Sequence, residues 1–152
     1  MSDTVKQIRE GLETLIETTL PTWKELENKY SLEKNNFINQ SKRFGVTTLG
    51  GTNTNSIIGY YSVARIFEVT FCNKYISTLN TDANPENAMD EIEDAMDEVI
   101  KAAVNSTLGL GGNVISGIIF DDIDDPDLET LENVAINKLR FIINYRAQVT
   151  GC

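Results

Sequence analysis

Between residues 134 and 149 the chain reads VAINKLRFIINYRAQV. From Leu139 onward, Leu139, Phe141, Ile143, Tyr145, Ala147 and Val149 take alternate positions, with Arg140, Asn144, Arg146 and Gln148 falling between them. Successive side chains of an extended backbone point to opposite sides, so this period gathers the bulky apolar groups on one face. The stretch is a half-buried β-strand, and its β-branched and aromatic residues suit a pleated surface. One solvated face places it in an antiparallel or mixed sheet. The rest of the chain must supply the neighbours and the cover for that apolar face.

Residues 59–76, GYYSVARIFEVTFCNKYI, set Tyr61, Val63, Phe67, Val69 and Phe71 on one face. With the moderately β-like residues 35–48 before them they form a long hairpin. The connecting residues 49–58, LGGTNTNSII, are rich in Gly, Asn, Thr and Ser, which predicts a mobile exposed loop. Gly50, Gly51, Thr52, Asn53 and Asn55 are its candidate partner-binding residues. Gly50-Gly51 is no phosphate turn, because neither a P-loop lysine nor a helix opening follows it.

Helical spacing governs other stretches. Val5, Ile8, Leu12, Leu15 and Ile16 line a first helix that Ser2 or Asp3 caps and Pro21 ends. Thr22 and Glu25 have capping-box spacing, predicting a second short helix over residues 23–30 with Trp23 and Leu26 as anchors. Asn84 and Pro85 open a third helix reaching about Asn105, with Met89, Ile92, Met96, Val99, Ile100 and Ala103 as its apolar stripe. Its acids Asp90, Glu91, Asp94, Asp97 and Glu98 read as a solvated face, and its methionines as core filler.

LGLGG at residues 108–112 stops that helix, and NVISGIIF at 113–120 forms another strand. Then comes DDIDDPDLETLEN, the densest acidic block, holding Asp121, Asp122, Asp124, Asp125, Asp127, Glu129 and Glu132. A calcium loop of the EF-hand kind needs glycine at its sixth position and glutamate at its twelfth. Counted from Asp125, those positions hold Thr130 and Ile136. The block therefore reads as an exposed loop between two paired strands, able to meet a basic surface on another chain.

The expected fold is α+β: an antiparallel or mixed four-stranded sheet made of two hairpins, a long helix packed across it, and amino-terminal helices. At 152 residues one domain is expected, long enough to bury a core without staples. A net charge of −10 disfavours a surface that grips phosphates, so no specific nucleic-acid binding is expected. Histidine is absent, which removes the commonest general base and metal ligand, and no cofactor or metal is expected. Cys72 and Cys152 read as free thiols in a reducing compartment. No apolar run approaches the roughly 20 residues of a membrane span, and the polar start lacks a secretory core.

This order of elements resembles that of the tail terminator, or tail completion, proteins of long-tailed bacteriophages, across most of residues 1–152. An amino-terminal helix, a strand and loop before SVARIFEVTF, and a single helix after an acidic Pro start carry the likeness. The closing VISGIIFDDIDDPDLETLENVAINKLRFIINYRAQV completes it, with a strand ending in acids and a last strand of the form apolar-Arg-Phe-x-apolar-x-Tyr-Arg. The resemblance implies a non-enzymatic virion protein, assembled in the host cytoplasm. It implies a homo-hexameric ring that caps the head-proximal end of the tail tube, stops its polymerisation and joins the tail to the neck. The implied partners are further copies of the chain, the tail tube protein and head-neck connector proteins, with DNA passing through the lumen.

Charge placement agrees with such a ring. Arg43, Arg65, Arg140 and Arg146 fall in predicted strands, whereas the acids gather in the third helix and at Asp121, Asp122, Asp124 and Asp125. That separation suits a head-to-tail contact between subunits. A head-tail neck connector, a monomeric acidic adaptor binding a basic partner, and a small carboxylate-pair hydrolase are the alternative readings.

Overall fold

The computed structural model describes residues 4–30, 42–75, 85–130 and 133–148. Helix α1 (Thr4–Thr19) buries Ile8, Leu12 and Ile16, the row that its spacing predicts, and Leu20 and Pro21 follow its end. Helix α2 (Pro85–Ala103) buries Met89, Ile92, Met96, Val99 and Ala103 together with Ala88 and Ala95. Its acidic face is exposed, and two lysines answer it, Lys101 at 2.9 Å from Asp97 and Lys42 at 3.2 Å from Glu91. The expected caps Ser2, Asp3 and Asn84 lie outside the described residues.

The strands are β1 (Lys24–Glu25), β2 (Arg43–Ile57), β3 (Tyr60–Lys74), β4 (Ile115–Ile123), β5 (Asp127–Thr130) and β6 (Val134–Gln148). They form one sheet in the order β1-β2-β3-β6-β4, with β5 also paired to β6. Every pairing is antiparallel except the short β1-β2 contact, so the sheet is mixed and the fold is α+β. The four long strands fall on the four stretches the sequence predicts as strands, with β2 running further than expected, and β1 and β5 are added to them.

Strand β6 is the spine. It pairs with β3 along its whole length, from Tyr60 opposite Gln148 to Lys74 opposite Val134. On its other side β4 and β5 lie end to end, opposite residues 139–145 and 134–136. Both helices pack on the face that carries Leu139, Phe141, Ile143 and Tyr145, where Phe44, Val46, Phe67, Val69 and Phe71 complete the core. Asn73 sits fully inside that layer and donates to the Ala88 carbonyl of α2 at 3.1 Å, so its burial leaves no unpaired amide donor there. On the opposite face Leu26, Cys72, Val134 and Ile136 make a smaller apolar cluster.

Three sequence expectations are corrected. Residues 23–30 are not a helix: Lys24 N–H donates to the Lys42 carbonyl at 3.0 Å and Leu26 N–H to that of Phe44 at 2.8 Å, forming a sheet edge. Tertiary packing decides this, because an extended chain drops Trp23 into the core, edge-on to Phe71 at 5.5 Å, while Leu26 reaches the far face.

Residues 49–58 are not a loose loop. Strand β2 runs to Ile57 and turns through Ile58-Gly59, where Gly59 has φ +86°. The positive φ at the second central residue alone is what a type II turn needs. Irregular register after Thr48 and after Asn53 absorbs the polar residues, and Arg65 donates to the Leu49 carbonyl at 3.4 Å beside the first of these. Gly51 is required there, since a Cβ would come within 3.1 Å of Arg65 and 3.0 Å of the Ala64 carbonyl.

The acidic block, finally, is not one loop. Asp121 and Asp122 belong to β4, Asp127 opens β5, and residues 124–126 break the edge between them; Glu132 lies outside the described residues. Asp124 N–H still donates to the Lys138 carbonyl at 2.9 Å, and Pro126, which has no N–H, falls where the pairing lapses.

Candidate interaction surface

On the helix-free face, side chains of β3, β6 and β4 line up in rows set by the register. One row is Glu68, Arg140 and Asp122; the row beside it is Ile66, Ile142 and Ile119. Arg140 ties the first row together. Its Nε donates to Glu68 Oε2 at 2.9 Å, Nη1 to Asp122 Oδ1 and Asp124 Oδ1 at 3.0 Å each, and Nη2 to Asp124 Oδ2 at 2.8 Å. The Asp124 contact is bidentate, the geometry a planar guanidinium favours. Hydrogen bonding to Asp124, then to Asp122, raises the Arg140 pKa above its ordinary value. The same bond holds the Asp124 carboxyl below the usual carboxylate range.

The strand arginines therefore have separate duties. Arg140 is satisfied within its own chain rather than left free for a neighbour. Arg65 donates through Nε to the Tyr145 hydroxyl at 3.1 Å as well as to Leu49. Arg43 reaches the Glu25 carbonyl at 3.4 Å, and Arg146 lies 5.6 Å from the centre of the Tyr60 ring. Arg43 and Arg146 have no carboxylate partner among the described residues. Asp121 and Asp125 are likewise exposed and without an ion pair among them. The candidate interface residues thus divide into an internal knot, Arg140 with Asp122 and Asp124, and an open set, Arg43, Arg146, Asp121 and Asp125.

The Ile66, Ile142 and Ile119 row has no cover among the described residues, and Ile119 is 53% exposed. The ribbon of β2 and β3 reaches its turn with β6 still paired to β3 as far as Gln148, and Gly50, Gly51, Thr52, Asn53 and Asn55 are all exposed along β2. Asn53 Nδ2 donates to Ser56 Oγ at 2.7 Å, and Asn55 N–H to Asn53 Oδ1 at 3.2 Å, which tightens the second irregularity. At the tip Ile57 is 57% exposed and Ile58 fully so, an uncommon way to leave two adjacent isoleucines in water.

Sequence reasoning missed Glu68, Ile119 and the two tip isoleucines as surface-forming residues. Glu68 had a signal, as an acid set opposite the Phe67 face of an otherwise apolar segment, but its partner follows only from register. Among the described residues no cluster of three or more acids and thiols is placed to hold a metal ion, and neither helix is long and apolar enough to cross a membrane.

No protein-family model and no curated protein matches the chain. A solved structure titled as the virion of a native gene transfer agent (GTA) particle contains a chain of similar fold. The TM-score is 0.57 at 11% identity, covering 95% of this chain and 92% of that one. At that identity the likeness is one of fold.

Proposed function

We propose that this protein is a non-enzymatic structural subunit of a phage-type virion, a tail terminator whose copies close into a ring on the head-proximal end of the tail tube. The ring would stop tube growth and present its far side to the connectors of the neck. The observation that supports a virion subunit is the fold itself, matched over 95% of the chain to a chain of a gene transfer agent virion, and the terminator role rests on the resemblance in the order of elements. The amino-terminal helix, long hairpin, single later helix and closing strands that carry the resemblance to the terminator family are all present in this fold.

The surface agrees with an assembling subunit. Exposed isoleucines at Ile119, Ile57 and Ile58 give it apolar contacts to bury, while Arg43 and Arg146 stand apart from Asp121 and Asp125, none of the four in an ion pair among the described residues. Opposite signs on different parts of one subunit favour a heterologous contact, which closes a ring when the rotation allows. With a net charge of −10, a ring lumen would repel DNA and let it slide.

The test is to mix purified protein with tail tubes and image the tube ends. Ring-shaped caps at one end of each tube, and tubes of arrested length in growth assays, are expected. A protein that stays monomeric by sedimentation and leaves tube ends bare overturns the proposal.

A further inference from the structure

A groove with a volume of about 340 Å³ opens between α2 and the break separating β4 from β5. Met96, Ile100, Ile123 and Pro126 form its apolar part, and Glu93, Asp97 and Asp124 its acidic part. Asp97 and Asp124 have cations of their own chain, but Glu93 has none among the described residues. One neutral polar group lies among them. Asn137 is only 4% exposed and lines the groove; its Oδ1 accepts the Lys138 N–H at 2.8 Å, and its amide nitrogen brings a hydrogen-bond donor to the lining.

The opposite end of the sheet carries residues that complement it. Residues 49–61 hold no charged side chain, the tip isoleucines Ile57 and Ile58 are exposed, and Arg146 stands beside Tyr60, the residue that follows the turn. We infer that the ribbon tip of one copy seats in this groove of a second copy. Ile57 and Ile58 would cover Met96, Ile100 and Ile123, a carbonyl of the Ile58-Gly59 turn would accept from Asn137, and Arg146 would approach Glu93. The match rests on charge as well as apolar contact: the groove is acidic, and the ribbon brings no acid and one free arginine. The inference rests on the ring reading above, because it needs a second copy of the chain as occupant.

Disulfide trapping tests it. In a Cys152→Ser background, chains carrying Ile58→Cys are mixed with chains carrying Glu93→Cys and oxidised; Cys72 is buried and stays out of the exchange. A covalent dimer of the two kinds is expected at about tenfold the yield of a control pairing Ile58→Cys with Lys6→Cys. Equal yields overturn the contact. Ile58→Asp, at a fully exposed position, should raise the concentration needed for assembly about tenfold while leaving the circular dichroism spectrum unchanged. A wild-type protein that assembles, together with an Ile58→Asp variant that assembles equally well, overturns this contact and spares the ring. A wild type that never associates overturns both.

Discussion

Charged residues here are driven in opposite directions by their neighbours. Arg140 stands among Glu68, Asp122 and Asp124, so its removal leaves three converging carboxylates with only Lys138, 3.9 Å from Glu68, to answer them. Arg140→Ala should cost about 1–3 kcal/mol in urea unfolding, less than a fully buried pair because the guanidinium is partly solvated. Arg140→Lys should recover only part of it, since a single ammonium cannot reproduce the bidentate bond to Asp124. The low-lying Asp124 carboxyl contributes stability above the unfolded value of 3.8, and that contribution is lost as pH falls through its still lower folded value. Glu25 behaves in the opposite sense. Sharing a hydrogen bond with the Glu13 carboxyl, with burial and the nearby Glu17 adding to the effect, pushes it up from 4.5 to about 7. An acid whose folded pKa is raised favours folding when protonated, so its stabilisation is complete below about pH 4.5 and fades by about pH 7. Because Glu25 faces solvent, the effect should be only about 0.5 kcal/mol. Thermal unfolding of Glu25→Gln should be flatter than wild type between those limits, and the variant should be the more stable at pH 8. Parallel pH profiles for the two proteins would refute the carboxyl-carboxylate contact.

Elements are held together by a few side chains whose environment no local pattern announces. Asn73 links β3 to the first turns of α2, and Asn73→Ala should cost about 1–3 kcal/mol because the Ala88 carbonyl loses its buried donor. Gly45→Ala should also destabilise, since a Cβ on β2 would sit 2.7 Å from Lys29 Cβ, and denaturant midpoints would report both. The four long strands and both long helices were legible because their apolar periods are long and one face of each is buried: Leu139, Phe141, Ile143 and Tyr145 are all at or below 1% exposure. Short or polar elements were not. Thr22 and Glu25 satisfy a capping rule, yet Trp23 and Leu26 gain more by lying on opposite faces of the sheet edge. The Gly, Asn and Thr of β2 have poor strand propensity, and antiparallel pairing to β3 overrides it. For the surface residues, sequence placed the arginines on strands correctly but could not say that Arg140 and Arg65 would be consumed internally. That depends on which residues the register brings side by side.

At the scale of the whole molecule the acidic edge divides by task, and the division can be tested. Asp122 and Asp124 complete the internal knot, so Asn at both should loosen the monomer together with any assembly. Asp121 and Asp125 are exposed on or beside β4 and touch no cation among the described residues. An acid on an edge strand deters indiscriminate strand pairing, yet leaves that edge able to accept a neighbour bringing a positive group such as Arg43 or Arg146. Asp121→Asn with Asp125→Asn should therefore weaken ring formation while moving monomer unfolding by no more than about 0.5 kcal/mol, the usual range for exposed substitutions. Salt should imitate the double variant, because charges at a wet rim are screened over roughly 8 Å at physiological ionic strength. Sedimentation of wild type and the double variant at low and high salt, with circular dichroism as the folding control, makes the comparison. Wild type should lose assembly as salt rises, and the variant should begin near that high-salt level and change little. If the two assemble equally at both salt levels, Asp121 and Asp125 serve only to solvate the edge, and the contact between copies is carried by its apolar residues.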